Sequence, residues 1–153
     1  FGTPLPLVVV ESSSMEHPGG FIGNIIGSKK AFESFWKEKG SWYEQRGITK
    51  EEAEHWSLRT GFDKGDIMVV WGRAEPKVGD VIIFEANQRH PIIHRVISID
   101  NGTIQTKGDN NSEQLYIEKN IKRDAIIGKA VFRIPKLGWI KLIFVEIIRA
   151  FSK

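Results

Sequence analysis

Three short stretches of this 153-residue chain hold residue types that could do hydrolytic chemistry. The first is Ser12-Ser13-Ser14-Met15-Glu16, directly after the β-branched run Leu7–Glu11. A serine in a tight turn beyond a strand can present its hydroxyl to a cleft; small hydroxyl residues also favour such turns for backbone reasons alone. The second is His94-Arg95-Val96, inside the run Pro91–Ile99. An imidazole can take a hydroxyl proton and return it to a leaving amine, while a strand histidine beside Ile92, Ile93 and Val96 is also an ordinary hydrogen-bonded residue. The third is Lys107-Gly108-Asp109-Asn110-Asn111. Its carboxylate could orient and charge-compensate a histidine, or the stretch is a type I or I′ turn.

Other chemistries are poorly served. There are no cysteines, so thiolate nucleophiles, disulfides and thiolate metal sites are excluded. His90 and His94 lie in one extended run, about 13 Å apart at ~3.3 Å per residue, too far to share an ion. His17 and His55 have no partner at ligand spacing. No metal and no cofactor is expected. No Gly-rich phosphate loop, helix-turn-helix or RNA-binding signature is present.

The elements that must position these residues read as mainly β. Asp66–Trp71, Asp80–Phe84, Ile92–Ile99, Thr103–Thr106 and Ile126–Ile134 are Val/Ile-rich runs separated by turn residues. Asp100-Asn101-Gly102 is a hairpin signal. Gly65-Asp66 and Gly79-Asp80 each precede a strand, a glycine for the turn and an aspartate for nearby amides. Such spacing predicts a folded antiparallel sheet or partial barrel. Residues 28–60 differ: Phe32, Phe35, Trp36 and Tyr43 recur near helical spacing, and Thr49-Lys50-Glu51-Glu52 has the form of a capping box. A second short helix is expected through about Leu58. The predicted organisation is therefore a β-rich domain over 1–18 and 61–136, a mostly helical insertion over 19–60, and an amphipathic tail over 137–153.

Charge is uneven. Residues 119–153 carry nine Lys/Arg against two acids, a net +7, which leaves −4 for the remainder of a chain of net +3. A basic end on an acidic body suits an anionic surface, lipid or nucleic acid. Leu137–Phe151 is mostly apolar but is broken by Lys141, Glu146 and Arg149. It fits a helix in the membrane interface with Trp139 at headgroup depth, or a C-terminal helix on the core. The chain opens at Phe1 without an initiator Met, which reads as a fragment whose preceding segment was removed.

The ordered set SSSMEHP (12–18), KGDIMVV (64–70), KVGDVIIF (77–84), IIHRVISI (92–99), TKGDNN (106–111) and IIGKAVFRIPKLGWIKLI (126–143) resembles the type I signal peptidases, closest to their archaeal and endoplasmic-reticulum branch. The resemblance implies a membrane-associated serine endopeptidase that removes signal peptides from secreted preproteins after small residues (Ala-X-Ala-like). It implies a catalytic domain on the extracytoplasmic face of the cell membrane. It also implies contact with preproteins, with membrane lipid through an N-terminal anchor outside this chain and the basic tail, and with the secretion translocon. Carried over residue by residue, Ser14 is the nucleophile, Ser12 an oxyanion-hole donor and His94 the general base. Asp109 is the expected acid, with Glu113 the alternative orienter of His94. Val10, Met15 and Ile93, beside nucleophile and base, are the expected pocket lining. Two departures stand out: Ser13 occupies a position usually held by Gly, and the insertion widens the gap between the nucleophile block and the first Gly-Asp strand. The competing readings are a non-catalytic β-domain that binds anionic lipid or nucleic acid, and a self-cleaving or regulatory serine peptidase of the same fold.

Overall fold

The computed structural model describes residues 7–18, 29–72, 74–135 and 147–152. Among the described residues seven strands form one antiparallel sheet: β1 (Leu7–Val9), β2 (Ile67–Trp71), β3 (Val81–Phe84), β4 (Ile92–Asp100), β5 (Thr103–Lys107), β6 (Ile121–Lys122) and β7 (Ile126–Ile134). Their order across the sheet is β1-β2-β7-β3-β4-β5-β6. Register shifts at Val69/Val70, Ile83/Phe84 and Val96/Ser98 bend and twist the sheet. The curl brings Val8 and Val10 of the first strand region into the same apolar cluster as Val81 and Ile83 of β3 and Ile93 of β4. β3 is buried at all four positions, with Val81 and Ile83 in this cluster and Ile82 and Phe84 in a second one with Val96 and Ile104. That two-sided burial explains its unbroken apolar run.

Turn chemistry falls where the residues predict it. Asn101 and Gly102 both have positive φ (46° and 77°), as a two-residue hairpin of the primed type requires. Asp66 accepts from the Asp63 amide at 2.8 Å, and Asp80 from the Lys77 amide at 2.9 Å.

Between β1 and β2 lie helix α1 (Lys29–Glu44) and the short helix α2 (Lys50–Glu54). Phe32, Phe35, Trp36 and Tyr43 form one buried face of α1, joined by Ile48, Trp56 and, from β4, Ile97. Thr49 caps α2 through the reciprocal capping box with Glu52. α2 ends at Glu54, short of Leu58: the chain leaves helical geometry at its C-cap His55 (φ −97°, ψ 0°), and Leu58 itself takes a left-handed conformation (φ 49°). Residues 19–28 of the expected insertion, and 137–146 and 153 of the expected tail, lie outside the described residues. Residues 147–151 are helical. No helix among the described residues is long and apolar enough to cross a membrane.

Candidate active site

The serine segment is a turn held from both sides. The Glu16 amide donates to Ser13 O at 3.1 Å, and the Phe62 amide to Met15 O at 3.0 Å. From the turn after β5, the Asn110 amide donates to Ser14 O at 2.7 Å, and the Asn110 side chain to Ser13 O at 3.1 Å. Ser14 Oγ thereby lies 2.8 Å from His94 Nε2, and Ser12 Oγ lies 2.9 Å from Ser14 Oγ. His94 is fixed in β4 opposite Ile82.

The other ring nitrogen, His94 Nδ1, donates to Glu118 Oε1. This contact sets the tautomer: Nδ1 carries the proton and Nε2 accepts from the Ser14 hydroxyl. Glu118 is fully buried in a 3-10 turn, Tyr116–Glu118. Its carboxylate also accepts from Thr106 Oγ1 at 3.0 Å and from the Leu115 amide at 2.7 Å. Ser12, Ser14, His94 and Glu118 therefore form a continuous hydrogen-bonded line. Glu118 carried no signal in the sequence, since it stands among Tyr116, Lys119 and Asn120 and reads as a surface position.

Neither carboxylate expected to orient His94 reaches it. Asp109 binds Arg95 in a two-pronged pair, accepting from Nε at 2.9 Å and from Nη2 at 2.7 Å. It also accepts from His17 Nε2 at 2.8 Å, with the Tyr43 hydroxyl 3.5 Å away. The reason lies in the strand: adjacent residues point to opposite faces, so a group committed to Arg95 sits across the sheet from His94. Glu113 is exposed and accepts from Trp42 Nε1 at 3.0 Å.

Arg95 is completely buried, and all five of its N–H groups have acceptors: Asp109 takes two, and the carbonyls of Ser57, Gly79 and Leu58 take the rest. Burial alone would raise the Asp109 carboxyl, but the Arg95 guanidinium and the His17 hydrogen bond hold it well below the usual carboxylate range. Burial lowers His17 below its ordinary value against the opposing pull of Asp109. Lys107 is pushed down to about 8 by burial; Asp109 opposes that shift.

A cleft of about 570 Å³ opens onto Ser14 and His94. Leu7–Val10 form one wall and Pro91–Ile93 the other. His90 and Glu11 pair at 3.3 Å on its rim. Val10 and Ile93 line it as expected, but Met15 does not: it is buried in the core behind the serine turn, where its Sδ accepts from the Asp109 amide at 3.3 Å. Both walls have unused backbone edges among the described residues. β1 pairs only with β2, and β4 meets β5 only from Arg95 onward.

The chain matches no protein-family model. It is 37% identical over 103 residues to the signal peptidase complex catalytic subunit SEC11 of Scheffersomyces stipitis, covering 59% of this chain and 61% of that protein. It is 38% identical over 100 residues to SEC11 of Lachancea thermotolerans, covering 56% and 60%. It is 38% identical over 103 residues to SEC11 of Eremothecium gossypii, covering 59% and 62%. The chain thus spans about six tenths of the length of these curated relatives, and what they have in common is the role of catalytic subunit in a signal peptidase complex.

Proposed function

We propose that this chain is a serine endopeptidase of the signal-peptidase type, with Ser14 as nucleophile, His94 as general base and Glu118 as the carboxylate that orients the base. The observation that carries the reading is the hydrogen-bonded line from Ser12 through Ser14 and His94 to Glu118. A serine hydroxyl is a weak nucleophile without an adjacent base. Ser14 Oγ attacks the scissile carbonyl as His94 Nε2 takes its proton. The Ser12 hydroxyl and the Ser14 amide receive the developing oxyanion. His94 returns the proton to the leaving amine, and a water, activated by the same nitrogen, releases the acyl group. Glu118 keeps Nδ1 protonated and balances the imidazolium.

The substrate enters as an extended strand between the free edges of β1 and β4, gaining main-chain hydrogen bonds on both sides. The narrow apolar walls, Val10 and Ile93, favour small residues next to the cleaved bond. Preproteins with signal peptides are the substrates this arrangement and the SEC11 likeness support. Work at a membrane fits the outer face of β1, β2 and β7, where Leu7, Val9, Trp71 and Phe132 are all exposed. It fits the basic apolar stretch at 137–153 as well.

The test is cleavage of a preprotein whose signal ends in Ala-X-Ala, in detergent or lipid, by the parent chain and by Ser14→Ala and His94→Ala. Cleavage at the small-residue site, abolished in both variants with their circular dichroism unchanged, is the expected result. Cleavage that survives Ser14→Ala overturns the nucleophile. An inert parent that binds liposomes would favour the non-catalytic lipid-binding reading.

A further inference from the structure

His17 is the one buried histidine that this mechanism leaves without a task. It lies three residues after Ser14, on the same turn whose Ser13 carbonyl accepts from the Glu16 amide. Its ring is stacked on Phe35 of α1, with centroids 4.0 Å apart and planes within 8°. Gly61 packs so closely that a Cβ there would lie 2.6 Å from the His17 ring, so the pocket around the imidazole is tight. Because the Asp109 carboxylate can only accept, Nε2 is the protonated nitrogen, and Nδ1 is buried without a partner among the described residues. A buried imidazole left half-satisfied is a cost, and among the described residues its polar compensation comes from Asp109.

That contact closes a ring of interactions. The nucleophile segment leads from Ser14 to His17, which donates to Asp109. Asp109 holds Arg95, the neighbour of the base His94 in β4. The next residue, Asn110, returns to the Ser13 and Ser14 carbonyls through its side chain and amide. Together these links join the serine turn, through the 108–111 turn, to the strand that carries the base. We propose that His17, seated against Phe35, is a positioning residue: through Asp109 it locks the serine turn onto β4 and so sets the Ser14–His94 contact. The helical insertion then serves the reaction as the wall that holds this ring in place. The proposal rests on the peptidase reading above and deepens it.

The experiment uses the full chain in detergent micelles with an internally quenched peptide that carries Ala-X-Ala before the cleaved bond. His17→Phe keeps an aromatic ring against Phe35 and removes the donor; His17→Gln restores a donor without the ring. Hydrogen exchange at the Asn110 and Glu16 amides is followed beside the kinetics. In His17→Phe, kcat should fall about 10- to 100-fold with KM within about twofold, as expected for a misplaced rather than an absent catalytic group. Both amides should exchange faster. In His17→Gln, most of the lost kcat should return. A folded His17→Phe with unchanged exchange, or with kcat within about twofold of the parent, overturns the proposal. Loss of the fold in both variants assigns His17 to stability alone and also overturns it. If the parent cleaves no better than Ser14→Ala, it is the peptidase reading that fails; the exchange data then still decide whether His17 locks the turn.

Discussion

Three carboxylates compete for one role near His94, and their surroundings separate them. Glu118 touches the ring; Asp109 is bound to Arg95 and His17; Glu113 faces solvent. Substitution should therefore give three different signatures. Glu118→Gln keeps size and most hydrogen bonds but can present an N–H to Nδ1, which favours the wrong tautomer. Its kcat should drop by about 10²–10⁴ with the melting temperature little changed, as in other triads that lose the acid's charge. Asp109→Asn leaves a buried guanidinium without its counter-charge, a loss of about 3–5 kcal/mol. Its main defect should appear in urea unfolding. Glu113→Gln should change neither. Equal kinetic losses for Glu113→Gln and Glu118→Gln would remove Glu118 from its role.

At the scale of elements, the site is a meeting of two turns on a strand. The 108–111 turn grips the serine turn, and its glycine lets it approach. A Cβ at Gly108 would lie 2.9 Å from both His94 Nε2 and Ser14 O, and 2.6 Å from the Asn111 side chain. Gly108→Ala must push the two turns apart where a shift of about 1 Å can cost ~10²-fold in rate. The expected variant is folded, with kcat down by that order; unchanged kcat would show that the two turns can separate without consequence. The capping box at the start of α2 belongs to a different class of effect. Thr49→Ala should cost about 1 kcal/mol by urea unfolding and leave kcat alone, since the cap touches no site residue.

The whole molecule carries its pH response in the buried network. His17 has its pKa lowered on folding, so the unfolded chain binds the extra proton first. The stability that depends on it is complete above the ordinary histidine value near 6.5 and is lost as pH falls below it. Asp109, held low by Arg95, adds a second loss below the ordinary carboxylate range. Lys107 acts at the other end. Its folded value of about 8 lies under the unfolded value of 10.5, so the cost of burying the cation is full below pH 8 and fades as pH rises toward 10.5. Urea midpoints of the parent should rise from pH 8 to 10 relative to Lys107→Met, by about 2 kcal/mol in unfolding free energy. A parallel pH dependence in the two proteins would show that Lys107 is not the source.

The sequence by itself determined six of the seven strands among the described residues, all but the two-residue β6, most of the turns, and three of the groups in the reactive line. Val/Ile-rich runs, Gly-Asp starts and Asn-Gly chemistry act locally, through φ preference and alternation, so β7 lies where it was predicted and the other predicted strands within two residues. The serine turn and His94 stood out because their residue types suit the chemistry; the resemblance to the type I signal peptidases singled out Ser14 as nucleophile and Ser12 beside it. The carboxylate did not follow from spacing. Asp109 is nearer His94 in sequence, yet strand alternation sends it to Arg95, and a 3-10 turn that no periodicity announces brings Glu118 under the ring. The part played by His17 was equally hidden, because its partner is 92 residues away. Which carboxylate meets which histidine is fixed by the curl of the sheet and the faces of β4, and those long-range contacts exist only once the chain has closed on itself.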